Sequence, residues 1–222
     1  KKKRYRQRYG KKHIGRGQQK GKPDSKIKHG LYKRHIGSMK FKGSYVKDFP
    51  EDKPYILLTG RSNVGKSSLI NAIANTKIAR VSKDPGLTAT LNFYIEENIY
   101  IVDTPGYGYA KRSKEERNKW ANIINDFIEN YGENILCVFA LIDSVVGPTE
   151  LDNMLIDYLD SKSLNTILVL TKVDKATQKE LANTLNRLKA FDKNIIQTSS
   201  KDGIGIKQLK AIMKELSHAK KR

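Results

Sequence analysis

From residue 55 onward, short apolar runs alternate with longer stretches in which apolar residues recur at helical spacing. The runs "YILLT" (55–59), "IYIVD" (99–103), "ILCVFALID" (135–143), "TILVLT" (166–171) and "NIIQT" (194–198) are rich in β-branched residues and predict buried strands. "LNFYI" (91–95) predicts a strand at the sheet edge. Trp120, Ile123, Ile124, Phe127, Ile128 and Tyr131 fall on one helical face, as do Leu151, Met154, Leu155, Tyr158 and Leu159. Both stripes predict helices packed on the core, with Trp120 and Met154 as core residues. Further helices are predicted over 178–190 and from 206 to about 219. This alternation gives an α/β chain with a mostly parallel central sheet and helices on both faces. No internal repeat interrupts it.

A length of 222 residues with 38% hydrophobic content suits one domain with a full core. The longest apolar run, 135–142, is too short to cross a bilayer, so no membrane partner is expected. Cys137 is the lone cysteine. It cannot form an internal disulfide, and reads as a small buried hydrophobe in a reducing compartment.

The net charge of +20 calls for a polyanionic partner. Residues 1–38 carry 15 Lys or Arg against one acid, Asp24, and so hold +14 of that total. With little aliphatic content, this stretch is expected to be a disordered basic arm, in which Tyr5, Tyr9 and Tyr32 offer base stacking between phosphate contacts. A non-native leader is the competing reading, because Gly37 and Ser38 directly precede Met39. An organelle presequence fits less well, since the arm lacks an amphipathic apolar face. The folded domain is expected over 39–222.

"GRSNVGKSS" follows the first predicted strand and opens a helix, the context that a G-x-x-x-x-G-K-[ST] phosphate loop requires. Backbone N–H groups of Gly60, Arg61, Ser62, Asn63, Val64, Gly65, Lys66 and Ser67 would wrap the phosphates, with Ser68 completing the set. Lys66 would neutralise the β and γ phosphates, and the Ser67 hydroxyl would coordinate Mg²⁺. "DTPG" closes the strand 99–103, where Asp103 could hold Mg²⁺ through water and the Gly106 N–H could sense a γ-phosphate. In "TKVD", Thr171 and Lys172 lead to Asp174, whose carboxylate can accept the N1–H and exocyclic amine of guanine, with the Lys172 methylenes along the base. "SSK" follows the next strand; there Ser199 and Lys201 flank Ser200, whose N–H could reach guanine O6. In this order, each at a strand end, these segments favour GTP over ATP.

"GRSNVGKSSLIN", "DPGLTATLNFY", "VDTPGYGYAK" and "LTKVDK" resemble the EngB family of bacterial GTPases, over roughly residue 40 to the C-terminus. The resemblance implies a P-loop GTPase domain, a GTP/GDP switch with slow hydrolysis, a bacterial cytoplasmic setting, and the large ribosomal subunit or its rRNA as partner. It also implies a link to cell division and septation. Thr88 looks like the first-switch threonine that binds Mg²⁺, with Thr90 as runner-up. Small GTPases place a glutamine after the aspartate-motif glycine, whereas here Tyr107 stands there, which implies slow turnover. Asn63 looks like the residue that helps bind K⁺ in related GTPases, and equally like a turn residue; equal hydrolysis in K⁺ and Na⁺ would leave only the turn. "AKRSKEERNK" (110–119) and "HAKKR" (218–222) are basic enough to touch RNA, or are solvated helix faces. The four histidines lack metal-ligand spacing. A monomer suffices for all of this. Two rival classes remain: an RNA-binding protein dominated by its arm with a vestigial nucleotide site, and a P-loop ATPase or nucleotide kinase.

Overall fold

The computed structural model describes residues 39–79, 90–108 and 114–219, the side chains of 114–120 and 219 excepted. In chain order the strands are β1 (Lys40–Tyr45), β2 (Tyr55–Gly60), β3 (Leu91–Glu96), β4 (Ile99–Asp103), β5 (Ile135–Asp143), β6 (Thr166–Thr171) and β7 (Asn194–Gln197). The helices are α1 (Lys66–Ala74), α2 (Lys114–Tyr131), α3 (Glu150–Ser161), α4 (Gln178–Leu188) and α5 (Ile206–Ala219). The strands form one sheet in the order β1-β3-β4-β2-β5-β6-β7. From β4 to β7 all pairs are parallel, while β3 runs antiparallel to both β4 and β1.

Alternation along the strands sends side chains to two separate cores. Ile56 and Leu58 of β2 pack with Leu69, Ile70 and Ile73 of α1 and with Leu209 and Met213 of α5. Tyr55 and Leu57 face the other way, onto Phe127 and Ile128 of α2 and Ile156 and Leu159 of α3. Each such side chain, fully buried, contributes about 1.5–3 kcal/mol. Phe49, Tyr55, Phe127 and Tyr131 join in edge-on and stacked contacts, with the Phe49 and Phe127 ring centroids 5.0 Å apart. Burial pushes the Cys137 thiol up to about 12, which leaves it inert.

Three sequence expectations are corrected. "NIIQT", expected as a buried strand, forms the edge strand β7, in which Ile196 alone is buried. "LNFYI" lies inside the sheet, between β1 and β4, and the edges are β1 and β7. The segment "KFKGSY" goes unnoticed in the sequence because it is largely exposed and its apolar residues are sparse. Lysines on such an edge discourage pairing with other chains. Met154 is 61% exposed and Leu151 46%, so neither is a core residue. Helix α3 is rotated so that Asp152, Ile156 and Leu159 face inward. Trp120, Thr88 and the arm lie outside the described side chains. Among the described residues, no helix is long and apolar enough to cross a membrane.

Candidate nucleotide-binding site

Parallel strands all end on the same side of the sheet, and the candidate residues sit on the turns that leave β2, β4, β6 and β7. The chain leaving β2 curls through Arg61–Gly65 before α1 starts at Lys66, with Val64 buried in the core beneath it. Lys66 is itself buried, and its Nζ donates to the carbonyl oxygens of Gly60 at 3.0 Å and Arg61 at 3.3 Å. A positive charge is thus held within the loop at the N-terminus of a helix, where the helix dipole also favours an anion. Asn63 is exposed and adopts a left-handed backbone, φ 63°. Asparagine tolerates that conformation, which suits it to this turn.

Two bonds weld this loop to the turn after β6. The Thr171 hydroxyl, buried, donates to the Val64 carbonyl at 2.6 Å. Lys172, with φ 59°, donates from Nζ to the Asn63 carbonyl at 2.7 Å and to Asp143 Oδ2 at 2.6 Å. The side chain of Thr171 is therefore a strut for the phosphate loop. Asp143 at the end of β5 went unremarked in the sequence; it also accepts from the Val145 N–H at 2.9 Å. Although burial opposes its charge, bonds from Lys172 and from backbone amides hold its carboxyl below the usual range. Asp174 stands exposed beyond this strut.

The turn after β7 is joined to the same unit, because the Val173 N–H donates to the Thr198 carbonyl at 3.2 Å. Ser199 is buried and its N–H donates to the Ile204 carbonyl at 3.1 Å, so it shapes the turn, leaving Ser200 half-buried and Lys201 exposed at its tip. Gly205 closes the turn with φ 71°, and a Cβ there would meet the Gln197 carbonyl oxygen at 2.2 Å. Only glycine fits.

Asp103 ends β4 deep in the site. Its Oδ1 is buried without a hydrogen-bond partner, and burial pushes its carboxyl up to about 6, with Lys66 pulling the other way. Such an oxygen fits a cation or the water of one. Asp103 and Ser67, together with Thr88 outside the described residues, would hold Mg²⁺, which would supply charge neutralisation at phosphate oxygens.

The proton on Asp103 is bound more tightly in the folded chain than at the ordinary value of 3.8. Its contribution to stability is therefore favourable below about pH 4 and is lost as pH rises through about 6. At pH 7 the ionised group costs on the order of 2–3 kcal/mol. Without nucleotide and Mg²⁺, Asp103→Asn is expected to melt above the wild type at pH 7 and to match it near pH 4. The same difference at both pH values would rule out a buried, unpartnered carboxylate.

After Asp103 the chain turns back onto the phosphate loop. Ser62 N–H donates to the Tyr107 carbonyl at 2.7 Å, and a Cβ on Gly106 would lie 2.6 Å from Ser62 Cα. Tyr107 is buried and its hydroxyl donates to Asp152 Oδ1 at 2.6 Å. Burial first, and that carboxylate second, push the hydroxyl above the usual tyrosine range. The side chain that replaces the glutamine of small GTPases is thus occupied in binding α3. Asp152 is the second residue missed in the sequence, where Thr149-x-x-Asp152 before an apolar stripe was its one signal.

A lysine-centred loop after β2, an aspartate ending β4 and a turn after β6 bonded to that loop, on a sheet of this order, are the arrangement of a P-loop GTPase, and the chain is a GTPase that binds guanine nucleotides. The family model described as "50S ribosome-binding GTPase" matches residues 55–172. More narrowly, the chain belongs to the EngB family of GTP-binding proteins. A probable GTP-binding protein EngB of Aquifex aeolicus is 42% identical over 175 residues, 77% of this chain and 96% of the relative. One from Thermotoga maritima is 44% identical over 169 residues, covering 73% and 86%. The crystal structure of a probable GTP-binding protein engB superposes with a TM-score of 0.60 at 29% identity, over 74% of this chain and 99% of that one.

Proposed function

We propose that this chain is a GTP/GDP switch that acts in assembly of the large ribosomal subunit, binding the subunit or its precursor, with rRNA contact, in one nucleotide state. Lys66 and the loop amides hold the phosphates, Asp174 and Ser200 read guanine, and Gly106 senses the γ-phosphate. Mg²⁺ sits with Ser67, Thr88 and Asp103. The observation that carries this reading is the joint at Ser62 and Tyr107: the segment after Gly106 is bonded to the phosphate loop itself, so a change at the phosphates moves it directly. A partner that prefers one arrangement of that segment is then controlled by the nucleotide. Hydrolysis is slow, because the Tyr107 hydroxyl is engaged by Asp152 in place of orienting a water. The bacterial cytoplasm, a monomeric state and the link to cell division and septation belong to the same proposal, the last through the supply of large subunits.

Co-sedimentation of the full chain with bacterial large subunits tests it. Retention with a non-hydrolysable GTP analogue but not with GDP, lost in Lys66→Ala, is the expected result. Binding that is indifferent to nucleotide and to Lys66→Ala, but collapses with salt, would give the function to the basic arm instead.

A further inference from the structure

The Asp152 carboxylate is wholly buried, yet it belongs to neither the phosphate loop nor the switch. Its Oδ1 accepts from the Tyr107 hydroxyl at 2.6 Å. Its Oδ2 accepts from the Thr149 N–H and hydroxyl, both at 2.7 Å, and lies 3.3 Å from Arg61 Nε. One carboxylate at the start of α3 therefore holds the second residue of the phosphate loop and the residue after Gly106. Those two residues also pair as a backbone bridge. A buried carboxylate keeps its donors strongly, because each one lost leaves charge unsatisfied.

We propose that Asp152 is a positioning residue for γ-phosphate recognition: by fixing Tyr107 against Arg61 it sets Gly106 in place before the nucleotide binds. This inference rests on the switch reading above, in which Gly106 meets the γ-phosphate. Asp152 touches no phosphate itself. Its effect falls on the contact that distinguishes GTP from GDP, and not on the Asn63 and Val64 end of the loop, which the Thr171 and Lys172 struts hold to the turn after β6.

The test measures affinities for GDP and for a non-hydrolysable GTP analogue, with melting curves alongside. Asp152→Asn turns an amide donor toward a site already crowded with donors. Tyr107→Phe keeps the ring and removes only the hydroxyl, and serves should the first variant fold poorly. Each is expected to lower the analogue-over-GDP affinity ratio by about tenfold, the scale of one charge-assisted hydrogen bond. GDP affinity should hold, and the double variant should lose no more than either single one. A lower melting temperature with an unchanged ratio, or a ratio that rises, overturns the positioning role. Lys66→Ala separates the two levels of the argument: if it leaves nucleotide affinity intact, the phosphate-loop reading falls and takes this inference with it.

Discussion

Replacing Asp174 by Asn is expected to weaken GTP binding by at least about a hundredfold and to let xanthosine triphosphate bind instead. The carboxylate accepts two N–H bonds from guanine in the proposed site, and an amide presents a donor where one of those donors arrives. Xanthine carries an oxygen in place of the exocyclic amine, so it suits the amide. The fold should not respond, because Asp174 is exposed while Thr171 and Lys172 carry the struts to the phosphate loop. Competition between the two triphosphates for one fluorescent nucleotide reads the exchange of preference. An ATPase or nucleotide kinase would keep its preference unchanged.

Gly106→Ala is the second large effect. Its Cβ would sit 2.6 Å from Ser62 Cα and 2.7 Å from Ser62 N, both backbone atoms that no rotamer change can move. The two segments have to separate, and the bond from Ser62 N–H to the Tyr107 carbonyl goes with them. Guanine and the inner phosphates keep their partners, so GDP should still bind. Hydrolysis is expected to fall by about a hundredfold or more, as on losing one preorganised backbone donor. Single-turnover hydrolysis beside GDP affinity separates this outcome from general unfolding, in which both would fail.

Much of the candidate site was legible because it depends on residues whose spacing has few other uses: two glycines framing Arg61 to Val64 with a Lys-Ser pair directly after, and an aspartate ending a strand just before Thr-Pro-Gly. The parallel strands were legible for a related reason, since β5 and β6 are buried on both faces and read as unbroken apolar runs. What escaped notice were places where hydropathy and burial part company. In β1, lysines alternate with a half-exposed Phe41. In α3 the inward position is an aspartate, and Met154 points out. The charge of Arg61 and donors from Tyr107 and Thr149 make that burial tolerable, and they come from three places in the chain. No window of neighbouring residues contains them all.

The struts from Thr171 and Lys172 bear on the kinetics of exchange. In the proposed site these bonds tie the base-reading turn to the phosphate cradle, and so oppose release of a nucleotide by the two halves swinging apart. In that proposed site a factor that speeds GDP release would act on the other side, at Asp103 and Gly106, by disturbing the metal or the segment after Gly106.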